Sequence, residues 1–346
     1  MSARADRTEN TVSGIADVAR AAGVSQSTAS RALTGRGYVA PTTRERVRHA
    51  ADTLGYVAST NAASLVTGRN RAIAVVVPRV TRWYFASILE GAERALLPHG
   101  YDLTLYVAEP HTRDRETLYG HFLARKRFDG LIAVALEPDD EEVSRLVGFG
   151  KPTVCIGNDL EGLATLGIDN AAIGWMITQH MIELGHTDIA FLGATPPEEA
   201  AVLDVEDRVR GYRDAMAESG LASQVRTWAA SLTVTAGYAA AASLLADRRS
   251  RPSAIVAACD EVAIGTIIAA RRLGIAVPSQ LSVIGVDGHD YAEMFALTTV
   301  EQHPQQQGEH AALAILGMLE GGPPDQGRTE ASTRLVVRAS TAAFTG

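Results

Sequence analysis

The chain has 346 residues, of which 46% are hydrophobic and 21% charged, and this balance excludes a largely disordered protein. No uncharged apolar run reaches the roughly 18 residues that a membrane-spanning helix requires. The length exceeds that of one ordinary core, so we expect two or three domains.

The net charge of −8 is unevenly distributed along the chain. Residues 1–71 contain 10 Arg and 5 acidic residues and carry a charge of +5, whereas residues 72–346 carry −13. A basic N-terminal segment on an acidic body is typical of proteins that bind nucleic acid through that segment. The same balance also fits an ordinary solvated surface, so charge alone leaves both interpretations open.

The two cysteines, Cys155 and Cys259, are far apart and each lies inside an apolar run. We expect two buried thiols in a reduced cytoplasm rather than a disulfide. The N-terminal segment MSARADRTENTVSG is polar and lacks the apolar core of a signal peptide. Neither cysteine has neighbours that suggest a metal site, and we expect no metal and no cofactor.

Residues 15–33, IADVARAAGVSQSTASRAL, predict two short helices joined by a tight turn. Apolar residues in IADVARAA recur at helical spacing, and Gly23 ends this helix. Ser25 is expected to cap the second helix, because its hydroxyl can accept from the amides of the first turn. Two helices joined in this way form the helix-turn-helix unit, whose second helix enters the DNA major groove.

The second helix supplies the candidate contacts to DNA bases, which are Gln26, Ser27 and, one turn further, Arg31. Gln can pair with adenine and Arg with guanine in the major groove. The hydroxyls and the cation expected to hold phosphates are Ser25, Thr28, Thr43 and Arg44. A small helical bundle with an incidental Arg is the alternative that this pattern leaves open.

A third helix is expected to start near Pro41, a residue that suits the first helical position. Thr42 and Glu45 have the spacing of a capping box. Gly55 ends the apolar pattern that follows them, so the helix is expected to stop there.

From residue 72 onward, apolar strands alternate with amphipathic helical stretches. The expected strands are AIAVVVP, YDLTLYVA, DGLIAVA, PTVCIG, DIAFLG, SAIVAA and LSVIGV. The first two expected helices are FASILEGAERALL and a segment near residues 113–126. Such alternation predicts parallel sheets covered by helices on both faces. Roughly 270 residues exceed one sheet, so we expect an α/β body of two doubly wound lobes.

The motifs of the common cofactor and catalytic sites do not occur in the sequence. There is no convincing G-x-G-x-x-G fingerprint after a strand, and no Walker loop, zinc motif or G-x-S-x-G elbow. The sequence therefore argues against a nicotinamide cofactor and against an enzyme.

Three N-terminal segments read IADVARAAGVSQSTASRAL, RGYVAPTTRERVRHAADTLGYV and AASLVTGR. The body continues with VPRVTRWYFASILEGAERAL, FDGLIAV, LGIDNAAIGWMITQHMIELGHTDIAFLG, DRVRGYRDAM, LGIAVPSQLSVIGVDGHDYAEMF and LTTVEQ. In this order the segments resemble the lactose-repressor (LacI-type) family of bacterial transcription regulators. The resemblance covers nearly the whole chain after about residue 13.

The resemblance implies three parts. Residues 1–57 are expected to form a helix-turn-helix DNA-binding domain, and residues 58–71 a hinge helix or linker. Residues 72–346 are expected to form a two-lobed domain that binds an effector and dimerises. Two heads on a two-fold axis imply a homodimer on a near-palindromic DNA operator. The C-terminal segment contains no leucine heptad, so we expect no tetramerising tail.

For DNA, the resemblance assigns base reading to Gln26, Ser27 and Arg31. It also assigns Leu65 to the minor groove at the operator centre. There an apolar side chain unstacks one base step and bends the duplex. The alternative for Leu65 is a linker residue packed on its neighbours.

The two lobes resemble periplasmic sugar-binding proteins, which hold their ligand in the cleft between lobes. In the family the pocket uses the segment after the first strand, which here reads Arg82-Trp83-Tyr84-Phe85. Its three aromatic residues, Trp83, Tyr84 and Phe85, are the implied effector contacts. Flat aromatic faces suit the C–H face of a sugar or the plane of a nucleobase. The alternative for these three aromatics is a place in the core.

The implied polar contacts are Arg208 in DRVRG, Asp287 in IGVDG and, as a third candidate, Asp169 in GIDN. They provide a bidentate donor and ionised acceptors for ligand hydroxyls. Asp287 follows a buried strand at its carboxyl end, where open α/β sheets bind ligands. A surface salt bridge is the alternative for Arg208.

The sequence departs from the family pattern in both regions. In the hinge, Ala58-Ser59 stands where the family commonly has Pro-Asn, and Ala63 replaces an Arg. Gly14 replaces the Thr that often caps the first helix. In the body, Cys259-Asp260 replaces Asn-Asp, and Leu232 replaces an aromatic. The base preference at the operator centre and the identity of the ligand therefore do not follow directly from the family resemblance.

These observations predict a ligand-responsive repressor of a carbohydrate-utilisation operon, acting in the cytoplasm without a membrane partner. The effector is expected to be a sugar or sugar derivative, with a nucleobase as the alternative. It would shift the population between DNA-competent and DNA-incompetent dimers. A solute-binding protein of a transporter shares the body but needs a signal peptide and lacks a basic head. An enzyme with an α/β cleft needs a catalytic set that the sequence does not show.

Overall fold

The computed structural model describes residues 14–35, 37–56, 68–109, 112–125, 127–157, 159–196, 202–323 and 327–345. The chain divides into two compact units, Met1–Arg71 and Ala72–Gly346, which we call the head and the body. The helices of the head are α1 Ile15–Ala21, α2 Gln26–Thr34 and α3 Pro41–Thr53. They pack around a core of small apolar side chains, Val18, Ala19, Ala29, Ala32, Val47 and Ala51.

The turn between α1 and α2 confirms the expected caps. Gly23 has a φ of +64°, a left-handed conformation that glycine adopts without strain. Ser25 then caps α2, and its Oγ accepts from the backbone N–H of Thr28 at 3.2 Å. At the start of α1, the backbone N–H of Gly14 donates to Oδ2 of Asp17 at 3.0 Å. Asp17 thus satisfies the backbone N–H of the N-cap residue, whereas Gly14 has no side chain that could accept from the amides of the first turn.

The capping box predicted at Thr42 and Glu45 is wrong. Helix α3 begins at Pro41, and its N-cap is Ala40, whose side chain makes no cap bond. Pro41 has its φ preset for a helix and has no N–H to leave unsatisfied, so it takes the first helical position. Thr42 consequently lies inside the helix rather than at its cap.

In the described residues the body forms two six-stranded sheets, one in each lobe. The strands of the first lobe are β1 Ala72–Val77, β2 Asp102–Val107, β3 Gly130–Val134, β4 Thr153–Ile156, β5 Ala164–Gly167 and β11 Arg328–Glu330. Those of the second lobe are β6 Ile189–Ala194, β7 Arg226–Ala229, β8 Ala254–Ala257, β9 Ser282–Asp287, β10 Thr298–Glu301 and β12 Arg334–Val336.

The strand orders are β11-β5-β4-β3-β1-β2 and β12-β10-β9-β8-β6-β7. Neighbouring strands pair in parallel, except that β10 and β12 are antiparallel. The predicted parallel, two-lobed α/β architecture is confirmed, and β3 and β9 are buried along their whole length. The sequence did not predict β5, β7, β10, β11 and β12. These strands have three or four residues, and the edge strands β7 and β11 are largely exposed.

The helices of the body are α4 Trp83–Leu96, α5 Arg113–Thr117, α6 Asp140–Gly148, α7 Asn170–Glu183, α8 Leu203–Glu218, α9 Val234–Ala246, α10 Asp260–Arg272 and α11 Pro304–Leu319. The helix predicted near residues 113–126 is only partly regular. Helix α5 is followed by a π-helical turn at Leu118–Phe122 and a 3-10 turn at Leu123–Arg125. No helix within the described ranges is long and apolar enough to cross a membrane.

Helix α11 follows β10 of the second lobe but packs against α4 of the first lobe. The two helices approach so closely that a Cβ at Gly91 would lie 1.9 Å from the carbonyl oxygen of Gln305. A Cβ at Gly308 would lie 2.1 Å from the carbonyl oxygen of Ile88. The chain therefore passes between the lobes after β10, and both lobes contain residues from distant parts of the sequence.

Candidate DNA-reading helix and interlobe cleft

Helix α2 has one buried side and one exposed side. Ala29 and Ala32 are fully buried in the core of the head, whereas Gln26, Ser27 and Arg31 are exposed. The Nε of Arg31 donates to the backbone oxygen of Ser27 at 3.2 Å, which lays the side chain along the exposed side. The three residues predicted to read bases therefore share one solvent-facing surface, as a major-groove contact requires.

The residues predicted to hold phosphates lie near two helix N-termini. The Oγ of Ser25 is 2.9 Å from Oγ of Ser27 and 2.9 Å from Oγ1 of Thr28. Thr43 and Arg44 lie half-buried in the first turn of α3. The Nε of Arg44 is buried without a hydrogen-bond partner in the part of the chain that the structure describes. Hydroxyls beside the amides of a helix N-terminus suit a phosphate.

The predicted hinge, residues 58–71, lies mostly outside the described residues, which resume at Gly68. Leu65, the predicted minor-groove wedge, and Ala63 both lie outside them. The role of Leu65 therefore stays a prediction.

Trp83, Tyr84 and Phe85 form the first turn of α4, with Arg82 as its N-cap. The sequence predicted a helix from Phe85 and placed the aromatics in a turn, so the predicted helix start is two residues late. Aromatic residues have modest helix propensity, and here their packing decides the conformation. The hydroxyl of Tyr84 donates to Oε1 of Gln307 at 3.2 Å, and both Tyr84 and Phe85 contact the core of the first lobe. Tyr84 and Phe85 therefore also pack against the core, which was the alternative interpretation for these aromatic residues.

Trp83 reaches across to the second lobe. Its indole Nε1 donates to Oδ2 of Asp290 at 2.9 Å. Its ring stacks on His289, with ring centroids 4.8 Å apart and planes 29° apart. Asp290 and His289 follow β9, so this contact connects the first lobe to the carboxyl end of the second sheet.

Arg208 lies buried in α8, with 6% of its surface exposed. The alternative interpretation, a surface salt bridge, is therefore wrong. Its Nε donates to Oδ1 of Asn170 at 2.8 Å, and its Nη1 donates to the carbonyl oxygen of Ala258 at 2.6 Å. Both acceptors are neutral, so the positive charge of the guanidinium remains available to interact with a nearby carboxylate. Asn170 in turn donates to Oδ1 of Asp204 at 2.8 Å, and burial raises the pKa of Asp204.

The structure does not bring Asp169 into this network. Asp169 is exposed and is the N-cap of α7, where its Oδ1 accepts from the backbone N–H of Ala172 at 2.9 Å. Asn170, the next residue, is the one that faces Arg208. The GIDN motif thus indicated the right segment. The carboxylate of Asp169 caps its own helix, and the side-chain amide of Asn170 makes the buried contact with Arg208.

Asp287 ends β9 and is 4% exposed, at the carboxyl edge of the second sheet. Its Oδ1 accepts from Nε2 of Gln302 at 2.5 Å. Burial raises the pKa of Asp287 to about 6, although the positive charges of Arg208 and Arg82 oppose the shift. Asp287, Arg208 and Arg82 thus form a cluster of interacting charges between the lobes.

Asp260 lies beside Asp287 and is fully buried at the start of α10. Its carboxylate accepts from Oγ1 of Thr299 at 2.7 Å and from the backbone N–H of His289 at 2.8 Å. Burial, with the negative charge of Asp287 as the next cause, raises the pKa of Asp260 to about 7. The two carboxyl groups therefore titrate as one interacting pair.

Arg82 and Glu261 form an ion pair between the lobes. Arg82 precedes α4 of the first lobe, and Glu261 lies in the first turn of α10 in the second. No sequence-based prediction included Glu261, Gln302 or Asn170. Asn170 and Glu261 adjoin residues that the motifs singled out, but Arg82 and Glu261 are 179 positions apart, and no local signal pairs them.

Replacing Asp260 with Asn is expected to change how stability depends on pH. The pKa of Asp260 is about 7 when folded against an ordinary value of 3.8, so the folded chain holds more protons between about pH 4 and 7. The stability contributed by protonated Asp260 is present at low pH and is lost as the pH rises through 7. Because Asn does not ionise, the melting temperature of Asp260→Asn should improve relative to the native chain as the pH rises from about 4 to 7.

Thermal unfolding of both proteins across that pH range measures this difference. A constant difference between Asp260→Asn and the native chain at every pH would contradict the assignment.

The cleft combines two buried guanidinium groups with the carboxyl groups of Asp287 and Glu261, and the rings of Trp83 and His289 lie alongside. Such paired donors and acceptors bind polar ligands with defined geometry. In the described residues, no group of three or more His, Cys, Asp and Glu side chains is arranged to hold a metal ion.

A helix-turn-helix head with an exposed recognition surface, joined to a two-lobed body with charged groups between its lobes, defines a ligand-responsive transcription regulator. The family model "Bacterial regulatory proteins, lacI family" matches residues 14–59, and "Periplasmic binding protein-like domain" matches residues 178–341. The chain belongs to the LacI family of bacterial regulatory proteins.

The relatives agree with this assignment. The HTH-type transcriptional repressor PurR of Vibrio campbellii is 32% identical over 332 residues, which cover 94% of this chain and 97% of PurR. A transcriptional regulator CelR–cellobiose complex is 29% identical, with a TM-score of 0.66 over 95% of this chain and 99% of CelR. The lac repressor dimer bound to operator and the anti-inducer ONPF shares the fold, with a TM-score of 0.83 at 22% identity over 96% and 99% of the two chains. The chain is thus a transcription regulator and not an enzyme.

Proposed function

We propose that this protein represses a carbohydrate-utilisation operon by binding a near-palindromic operator as a homodimer in the cytoplasm. The observation that carries this proposal is one chain with both an exposed base-reading surface on α2 and a charged, two-lobed cleft in the body. A small effector in the cleft then shifts the dimer between DNA-competent and DNA-incompetent states.

On DNA, α2 lies in the major groove and presents Gln26, Ser27 and Arg31 to the bases. The phosphate contacts come from Ser25, Thr28, Thr43 and Arg44. Leu65 wedges into the minor groove at the operator centre and bends the duplex. The exposure of the α2 residues and the clustered hydroxyls at its start support this arrangement.

In the cleft, Arg208 and Asp287 contact the hydroxyl groups of a sugar or sugar derivative, and Trp83 offers an aromatic face. Tyr84 and Phe85 support this wall from the first lobe. Asp169 contributes through the start of α7, where it positions Asn170. Support for a sugar comes from the similar CelR, whose complex contains cellobiose. A nucleobase, which would use the same flat rings, is the alternative effector.

The experiment that tests this function is a genomic selection with the purified full-length protein. Sheared DNA from the source genome is bound, recovered and sequenced, and a near-palindromic site is expected beside carbohydrate-utilisation genes. The triple variant Gln26→Ala, Ser27→Ala, Arg31→Ala serves as the matched control and should lose the enrichment. Equal recovery of all sequences by both proteins would contradict the proposal.

A further inference from the structure

The ion pair between Arg82 and Glu261 is buried between the two lobes. The side chain of Arg82 is 15% exposed and that of Glu261 is 13% exposed. Each charge lies in a different lobe, so neither has its partner unless the lobes are in contact. A buried ion pair of this kind is formed in only one arrangement of the two elements, because separating the elements breaks the pair and exposes both charges to water.

The guanidinium of Arg82 also lies close to the proposed effector contacts. Its Nη2 is 3.7 Å from Sγ of Cys259, and it exerts a favourable charge interaction on Asp287. Arg82 therefore lies within electrostatic reach of the carboxyl group that the effector would contact.

Two further contacts hold the same lobes together. The indole of Trp83, next to Arg82, stacks on His289 and donates to Asp290. Elsewhere in the body, Oε1 of Glu137, which follows β3 of the first lobe, accepts from the backbone N–H of Leu203 at 2.7 Å. Leu203 begins α8 of the second lobe, so a carboxylate of one lobe caps a helix of the other.

We propose that the Arg82–Glu261 ion pair is a latch that holds the two lobes of the body together beside the proposed effector site. This inference rests on the proposed effector site in the cleft. It adds a regulatory device, because opening of the cleft then requires that this interlobe contact breaks.

Removing one member of the latch leaves the other charge in a buried site without its ion-pair partner, and opening the lobes gives that charge access to water. Arg82→Met and Glu261→Met are each expected to open the cleft. The double variant has apolar side chains on both sides and no unpaired charge, so it should close again to a large extent. This non-additivity separates an ion-pair latch from simple loss of packing.

Trp83 reports the opening directly. In a background with Trp175→Phe and Trp228→Phe, it is the sole tryptophan, and its quenching by acrylamide measures its access to solvent. We expect the quenching constant to rise about twofold or more in Glu261→Met and Arg82→Met, and to return toward the background value in the double variant. Arg79→Met is the matched control, because Arg79 is exposed and pairs with Glu109 at 2.5 Å within the first lobe.

Circular dichroism and small-angle scattering of each variant establish that it is folded and whether its radius of gyration increases. If Arg82→Met fails to fold, Glu261→Met, whose change lies in the other lobe, carries the test. Unchanged quenching and size in a folded Glu261→Met variant overturn the latch. The measurement uses neither DNA nor effector, so this result would leave the proposed repressor function standing, and absent operator binding would leave the latch standing.

Discussion

Arg31→Ala is expected to weaken operator binding by about 1–3 kcal/mol, a loss of roughly 5- to 150-fold in affinity. The side chain is exposed on α2, and its Nε donates to the backbone oxygen of Ser27 on its own helix. Its outer nitrogens can therefore reach O6 and N7 of a guanine. Electrophoretic mobility shifts on the selected operator measure the loss, and a set of single-base operator variants should show relaxed specificity at one position.

Two matched variants interpret that result. Arg94→Ala removes an exposed arginine that pairs with Glu90 on α4 of the body, and operator binding should be unaffected. Arg44→Ala, at a predicted phosphate contact, should weaken binding to all sequences alike and reduce the salt dependence. If Arg31→Ala bound every operator variant as the native protein does, α2 would not be the base-reading helix.

Asp287→Asn is expected to weaken effector binding by about 2–5 kcal/mol while basal operator binding is retained. Asn keeps the size of the side chain, so it preserves the packing around the strained φ of +136° at this position. The change removes the carboxylate that attracts both Arg208 and Arg82, so a ligand hydroxyl loses its charged acceptor and the two cations lose a counter-charge.

Thermal shifts with a panel of mono- and disaccharides and nucleobases identify a compound that stabilises the native chain, and calorimetry with that compound then compares the variants. Asp247→Asn is the control, because Asp247 is exposed at the C-terminal end of α9 in the second lobe. It should bind the compound nearly as the native chain does. Native-like binding by Asp287→Asn would place the effector pocket elsewhere.

The head shows how far local sequence signals reach. Gly23 and Ser25 predicted a turn and a cap because a left-handed φ and an N-cap bond each depend on a few adjacent residues. The capping box at Thr42 failed for an equally local reason, since Pro41 competes for the first helical position and wins. Local signals are therefore reliable where one of them acts and ambiguous where two overlap.

In the body, the strands with continuous apolar runs were predictable, because burial on both faces demands such runs. The edge strands β7 and β11 were not, since they are short, exposed and defined by the strand they pair with. The family resemblance located Arg208 and Asp287, and the structure brings them together between the lobes. It could not say that Asn170 rather than Asp169 would face Arg208.

By itself, the sequence determined a basic helix-turn-helix head followed by an acidic α/β body, because caps, glycine turns and apolar periodicity act over a few residues. Only the tertiary structure decided the character of the cleft. The pairing of Arg82 with Glu261 and the raised pKa values of Asp260 and Asp287 arise from desolvation and charge. Both effects depend on which distant residues the two lobes bring into contact, and that information is absent from any single stretch of the chain.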